Sequence, residues 1–570
     1  MEREQGSGIS ETVKVVRTPF ARLDVAFVFL IALLPIVGEL LVTLRNLKSS
    51  WDDGAITAAF AQTLAHSGRI ALTPTSVTVE GFSSVTWFLL LSIPALVTHH
   101  PDIVLVSMKA LSALFAALSL VVLYAIARRQ FAAPSSGFVA LLLFAFSLTV
   151  LNEIRDGMEM NLATFLLLLL FHILTREQDR GRVLYASLTG WLLLLTRFES
   201  PLQLGLLAIG LLYAAYLQTQ TATAEPGSAL KSMPHGATRK DILLAGALIL
   251  LGFVLIEVWR HHTFGVWMPN TVYAKRHAPY SEPLHSAAAI QTRWNASREP
   301  FAVLEIPFVL AALATFLALG RKRFYATELG RMHPAVWTLA FGCFLVGGLI
   351  GENWGYSGRM ASATIPFLIL ALVGICADAT RGRRLLLGLF ALALVAQAGA
   401  WLTAFRHPVS LVHIDSVEPI GRGADSIRLA LHQEHLVSMI SDVGGPALCC
   451  EKLTVLDSGL LANPSLSHTG WEGFVRQFHA VNPDLVETHT VWALESHIYE
   501  NGLLDQYSMV AADGRRFFVR DDLYQQLLAE HAGPILPVQS VPACMSSLDY
   551  PPDAAFSLTK HTCLVLNGTN

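Results

Sequence analysis

WDDGAITAAFAQTLAHSGRIALTPTSVTVEGFSSVTW, Trp51 to Trp87, is the stretch whose reading decides the fold. It follows the first long apolar segment directly, opens on two adjacent carboxylates, and is more polar than any neighbouring stretch of similar length. Ile56, Phe60 and Leu64 recur at helical spacing while Gln62, Thr63 and His66 fall off that line, which predicts a short amphipathic helix. Asp53 stands where an N-cap belongs and Gly68 where the helix should stop. Such a helix is too short and too polar to span a bilayer, so it is expected to lie at the membrane surface. Asp52 and Asp53 alone would be ordinary caps. A carboxylate pair just outside a span, followed by Glu80, Gly81, Ser83, Ser84 and Thr86, points instead to chemistry.

Composition sets the frame for that stretch. Hydrophobic residues make up 53% of the 570 residues and charged ones 15%, with a mean hydropathy of +0.49, which excludes an ordinary soluble domain and indicates a polytopic membrane protein. The net charge of -3 and the lack of a Lys/Arg-rich run give no support to nucleic-acid binding. The N-terminus is polar through Asp24, so a retained first span is expected rather than a cleaved signal. None of the six cysteines has C-x-x-C spacing, and no H-E-x-x-H or glycine-rich nucleotide loop occurs.

Working outward, apolar runs near 24–45, 102–127, 137–152, 161–175, 183–198, 201–217, 241–260, 301–320, 334–350, 360–378 and 385–404 read as about 11 transmembrane helices. The run from Phe82 to Val97 is assigned to a juxtamembrane or re-entrant helix, because counting it as a span breaks the alternation of loop charge. With that choice the basic loops (Lys14 to Arg22, Arg128 and Arg129, Arg176 to Arg182, Lys231 to Lys240, Arg321 to Arg331, Arg381 to Arg384) fall on one side, which is then cytoplasmic. Every motif-bearing loop falls on the other. The expected division is a cytoplasmic segment 1–23, a transmembrane domain 24–405 whose first periplasmic loop is 47–100, and a periplasmic C-terminal α/β domain 406–570. In that tail, strands are expected at Leu436 to Ile440, Leu453 to Leu456, Leu485 to Val486 and Phe517 to Val519, and a helix at Ser426 to His435. An oxidising compartment would permit a disulfide there, and Cys544 with Cys563 is the expected pair.

The outward loops carry the candidate chemistry. Arg155-Asp156-Gly157-Met158-Glu159 joins two spans; Arg155 reads as a snorkelling side chain, whereas Glu159 precedes an apolar helix and should face an outer chamber. Arg197-Phe198-Glu199 reads equally as a mutual ion pair or a ligand contact. Lys109 lies well inside a span, a position that by default marks function, with snorkelling as the rival. Trp267-Met268-Pro269-Asn270-Thr271-Val272-Tyr273-Ala274-Lys275-Arg276 and Glu352-Asn353-Trp354-Gly355-Tyr356-Ser357-Gly358-Arg359 combine aromatics, which stack on sugars, with cations that bind phosphate oxygens; the plain alternative is an interfacial belt with basic anchors.

The ordered set D-D-G-x-I-T-x-x-F-A-x-x-L, E-G-F-S-S-V-T-W, G-M-E-M, L-T-R-F-E, M-P-N-T-V-Y-A-K, G-E-N-W-G-Y-S-G-R and V-L-D-S-G-L-L spans most of the chain. It resembles the GT-C superfamily of polyprenyl-phosphate-sugar-dependent glycosyltransferases, and within it the AftB-like arabinofuranosyltransferase subgroup. The resemblance implies a GT-C-like fold, a sugar such as arabinofuranose donated from polyprenyl phosphate, and an aspartate at the start of the first outer loop as catalytic residue. The chain departs from the family pattern at Gly351-Glu352-Asn353, where a G-G-D turn is frequent, and at Arg197-Phe198-Glu199, where R-P-E is usual.

The expected enzyme is therefore a glycosyltransferase of the bacterial inner (cytoplasmic) membrane, with its site facing the periplasm. Asp53 or Asp52 is the catalytic residue, and Lys275, Arg276, Arg359 and Lys109 hold the donor phosphate. Glu80, Glu159, Arg197, Glu199, Asn270, Tyr273, Glu352 and Trp354 contact substrate. No protein metal site is expected, although Mg²⁺ or Mn²⁺ could bridge a carboxylate and a phosphate. The partners are the polyprenyl-phosphate sugar donor, an extracytoplasmic glycan, lipid or protein acceptor, and membrane lipids. A flippase or transporter of lipid-linked sugar is the alternative, as is a polysaccharide polymerase or ligase. A transporter would spread polar groups through the spans, whereas here they crowd at one face.

Overall fold

The computed structural model describes residues 20–131, 134–176, 180–221, 236–278, 280, 332–350, 359–378, 395, 399, 413–530, 533–544 and 562–566. The first half is helical: α1 (Phe20–Arg45), α2 (Asp52–Ser67), α3 (Val85–Ala95), α4 (Pro101–Gln130), α5 (Pro134–Ala145), α6 (Leu148–Asp156), α7 (Met160–Thr175), α8 (Arg182–Thr196), α9 (Ser200–Thr221), α10 (Arg239–Phe264) and α11 (Asn270–Ala274). After it come α12 (Pro334–Ile350), a 3₁₀ turn at Arg359–Thr364 and α13 (Ile365–Asp378). Among the described residues four helices are long and apolar enough to cross a membrane: Val25–Arg45, Pro101–Gln130, Ser200–Thr219 and Arg239–Phe264. The pair α5 and α6, bent by 44° at the break, makes a fifth. Other expected spans coincide with shorter apolar helices such as Met160–Thr175 and Arg182–Thr196, while 301–320 and nearly all of 385–404 lie outside the described residues. At 11 residues, α3 is too short to cross.

Helix ends sort into two faces. At one, Arg129 meets His172, Arg182 donates to the Gly236 carbonyl, and the His333 N–H donates to Gln130. At the other, α2, the Gly157 turn, the α8–α9 junction, the end of α10 and the Arg359 turn converge. The C-terminal domain sits on this second face.

That domain comprises α14 (Ile414–Ala430), β1 (Leu436–Ile440), α15 (Gly444–Cys449), β2 (Leu453–Asp457), α16 (Pro464–Thr469), α17 (Phe474–Val481), β3 (Leu485–Val486), α18 (Thr490–Ser496), β4 (Tyr507–Ala512), β5 (Arg515–Arg520), α19 (Asp521–Ala529), β6 (Ile535–Pro537) and β7 (Thr562–Val565). Its seven strands run in the order β2-β1-β3-β5-β4-β7-β6. Three of them, β2, β1 and β3, are parallel neighbours, and covered faces explain their apolar runs: Leu436, Ile440, Leu453, Val455 and Leu485 are all buried. The four expected strands are present. The expected helix at Ser426 to His435 is displaced: α14 starts at Ile414 and ends at Ala430. Cys544 and Cys563 are bonded, as are the neighbours Cys449 and Cys450.

Two readings of the opening stretch are corrected. Asp53 is not the N-cap; Trp51 is, with no side-chain bond to the helix, although Gly68 does end α2 in the left-handed region at φ +72°. Nor does α2 lie open on a surface, because Gln62 and Thr63 are buried along with Ile56 and Phe60. The C-terminal domain covers the polar line: Gln62 and His66 both bind the Glu451 carboxylate, at 2.7 and 2.5 Å.

Candidate active site

A cavity of about 720 Å³ opens between the helical domain and the C-terminal domain. Its helical wall carries Asp53, Glu159, Lys275 and Arg359, residues separated by up to 306 positions in sequence. Helix α2 begins here, so Asp53 in its first turn points at the cavity with its side chain 37% exposed, and Arg359 Nη1 lies 3.4 Å from Asp53 Oδ2. Arg359 is itself buried, and its other terminal nitrogen is 3.8 Å from Glu159. Glu159 in turn pairs with Arg197, and Arg197 Nε donates to Glu199 at 2.8 Å. The result is a chain of alternating charge ending at the exposed carboxylate of Asp53. Lys275, just after α11, lines the same wall, its backbone N–H donating to the Thr271 carbonyl at 3.2 Å. Burial lowers its pKa to about 8, helped by the positive charges of Arg359 and Arg197 and opposed by Asp53 and Glu199.

The opposite wall comes from the carboxyl ends of the parallel strands. Asp442 follows β1, Asp457 ends β2, and Glu487 and His489 follow β3, the place where open α/β sheets present ligands. His489 Nε2 is 2.9 Å from Asp442 and Nδ1 is 3.0 Å from Glu487. Burial works against its imidazolium, but these two carboxylates prevail and hold its pKa well above the usual value. Asp457 accepts N–H bonds from Gly459 and Ala462, both at 2.6 Å, yet burial still raises its pKa to about 7. Tyr280 donates its hydroxyl to the Gly459 carbonyl at 2.9 Å and packs its ring 5.6 Å from that of Trp492. Both walls carry both signs: Lys275 and Arg359 stand among Asp52, Asp53 and Glu159 on the helical side, and Asp442, Asp457 and Glu487 stand with His489, Arg515 and Arg516 on the other. Sequence reasoning missed the acidic wall. Its signal was an apolar strand run followed within two residues by an acid, three times over: Ile440-Ser441-Asp442, Leu456-Asp457 and Val486-Glu487.

Several other expected site residues serve the scaffold. Lys109 does not line the cavity; it is fully buried and donates to Thr43 Oγ1 and the Arg155 carbonyl, both at 2.6 Å. Arg276 is exposed and lies over the Tyr273 ring, which itself packs on His468. Asn270 ties its loop to the C-terminal domain, donating to Leu461 O at 2.8 Å and accepting from Ser467 Oγ at 2.6 Å. Arg197 and Glu199 form the mutual pair rather than a wall of the cavity. Glu352 and Trp354 lie outside the described residues.

Glu80 is likewise a brace. It is 1% exposed, receives Arg260 at 2.5 and 3.1 Å, and its carbonyl accepts the Asn270 N–H at 3.1 Å. Burial raises its carboxyl pKa and the Arg260 guanidinium opposes that rise. Arg260 also binds Glu257, so Arg260→Met strands two carboxylates and is expected to cost about 3–5 kcal/mol of stability. Glu80→Gln combined with Arg260→Met should recover the part due to Glu80 in thermal unfolding; a double variant no more stable than the single one would contradict the assignment.

Among the described residues no group of three or more His, Cys, Asp or Glu is arranged to hold a metal ion.

No family model matches the chain, and no curated protein does. Among solved structures it is similar to the apo Archaeoglobus fulgidus oligosaccharyltransferase, with 12% identity, TM-score 0.46, 84% of this chain and 73% of that one covered. The same enzyme tethered to an acceptor peptide containing the NVT sequon gives 13% and 0.46 over 86% and 74%. ArnT from Cupriavidus metallidurans, bound to undecaprenyl phosphate, gives 14% and 0.49 over 88% and 98%. These are distant likenesses of overall shape, and they assign neither a family nor an activity to this chain.

Proposed function

We propose that the protein is a membrane glycosyltransferase that moves a sugar, arabinofuranose or a close relative, from a polyprenyl-phosphate donor to an extracytoplasmic acceptor. The observation that carries this reading is the juxtaposition at the membrane-domain end of the cavity: the partly exposed carboxylate of Asp53 sits against a buried arginine and beside a lysine in a site large enough for a sugar. The donor phosphate sits against Lys275 and Arg359, whose charges stabilise the leaving group. The acceptor hydroxyl enters from the acidic wall. Asp53 takes its proton, the oxygen bonds to the anomeric carbon, and the carbon–oxygen bond to phosphate breaks with its electron pair leaving on the polyprenyl phosphate. Glu159, paired with Arg197, orients Arg359. The cavity faces the periplasm of an inner-membrane protein in this reading, supported by the basic loops at the opposite helix ends. Charge gathered at one end favours transfer over flipping, which needs access from both faces.

The test is transfer by the purified protein from a panel of synthetic polyprenyl-phosphate sugars to arabinofuranosyl oligosaccharides. Product from at least one donor is expected; inertness towards the whole panel, with the protein moving labelled lipid-linked sugar across vesicles, would replace this reading with the transporter. The lysine adds a pH signature. Lys275 carries its charge below about pH 8 and loses it above, so kcat/KM for the donor should fall up to about tenfold per pH unit beyond that point. In Lys275→Arg the fall should move beyond pH 10; an unchanged profile would remove Lys275 from the phosphate site.

A further inference from the structure

Asp52 precedes Asp53 and does something different. Only 7% exposed, its carboxylate accepts the N–H of Gly444 at 3.0 Å and of Gly445 at 2.6 Å. Those amides come two and three residues after Asp442, which lines the acidic wall. One side chain therefore links a residue adjacent to the helical wall's carboxylate with the chain segment that carries the opposite wall. The approach is close. A Cβ on Gly444 would lie 2.4 Å from the Asp52 carbonyl oxygen and 2.6 Å from Oδ1, so glycine alone fits. Other contacts fasten the same two bodies: Lys48 with Glu418 at 2.7 Å, the Ile414 N–H on the Ser50 carbonyl at 2.9 Å, and Glu451 on Gln62 and His66. They keep the domain attached; the Asp52 junction is set apart because its carboxylate, adjacent to Asp53, meets the amides two and three residues beyond Asp442.

We propose that Asp52 is a positioning residue, which by gripping the Gly444 and Gly445 amides sets the separation of Asp53 from Asp442 and His489 and so the presentation of the acceptor. This rests on the glycosyltransferase reading for its substrate, but the junction itself does not. Asp52→Asn keeps one accepting oxygen and turns an N–H donor towards a second donor, so one bond is lost and a repulsion added. Gly444→Ala wedges the same junction and leaves the carboxylate in place.

Two readouts on the full-length protein test it. With polyprenyl-phosphate arabinofuranose and an arabinofuranosyl oligosaccharide varied separately, Asp52→Asn and Gly444→Ala should each raise the acceptor KM about tenfold, with donor KM within about twofold and kcat within about threefold. Independently of activity, spin labels at His100→Cys and Glu434→Cys should give a narrow distance distribution that broadens or shifts in both variants. An Asp52→Asn variant whose kcat collapses at unchanged acceptor KM would make Asp52 a participant in the chemistry and overturn the proposal. So would an unaltered label distance, or Gly444→Ala indistinguishable from wild type. If the wild type transfers no sugar, the distance readout still decides for or against the strut, and only the substrate reading falls. Should one variant fail to fold, the other carries both readouts.

Discussion

Asp53→Asn is expected to lower kcat by about a thousandfold while leaving donor KM within about threefold. General bases contribute roughly 10²–10⁴ in rate, and asparagine keeps the size and one oxygen of aspartate but cannot take the acceptor's proton. Donor binding should survive because the phosphate is assigned to Lys275 and Arg359. The substitution also removes the negative partner 3.4 Å from Arg359, but Glu159 remains beside that guanidinium, so the fold should hold and thermal unfolding should stay near the wild-type value. Measuring initial rates and unfolding on one preparation separates the two effects. A variant that keeps a tenth or more of wild-type kcat would remove Asp53 from the chemistry.

Arg359→Gln is expected to be nearly as damaging, by another route. Loss of a charge-assisted contact to a phosphate costs about 1.5–3 kcal/mol, roughly 10- to 150-fold in affinity. Here the same guanidinium also sits between Asp53 and Glu159, so its loss brings two carboxylates next to an anionic donor without a cation between them. A fall of about 10²–10³ in kcat/KM for the donor is expected, larger than for Lys275→Met. Arg359→Lys should restore little, since a point charge cannot reach Asp53, Glu159 and a phosphate together as a planar fork does. A lysine variant with wild-type kinetics would show that only net charge matters at this position.

What the sequence disclosed follows from the range of the interactions involved. Long apolar runs are local, and α1, α4, α9 and α10 stand within a few residues of their expected places. Loop charge alternates along the chain, which grouped the motif-bearing loops together, and four residues from them, Asp53, Glu159, Lys275 and Arg359, line one cavity. The individual roles were less legible. Lys109 looked functional by its depth in an apolar span, but its partners are 66 and 46 residues away, and no spacing rule exposes such pairs. Helix α2 looked like a surface helix because its cover, Glu451, lies 389 residues downstream of Gln62. The acidic wall depends on parallel strands whose adjacency is non-local, although the Asp513-Gly514 turn between β4 and β5 was a readable hairpin signal. Asp52 and Asp53, adjacent in sequence and alike in chemistry, were separable only by what each touches.

In the proposed reaction Lys275 and Arg359 hold a lipid phosphate beside Asp53. Equilibrium binding of a fluorescent polyprenyl phosphate to detergent-solubilised protein measures that directly, without turnover. Wild type and Asp53→Asn are expected to bind within about threefold of each other, and Lys275→Met combined with Arg359→Gln to bind about a hundredfold or more weaker. Equal affinity in all three proteins would contradict the assignment of this cavity as the donor site.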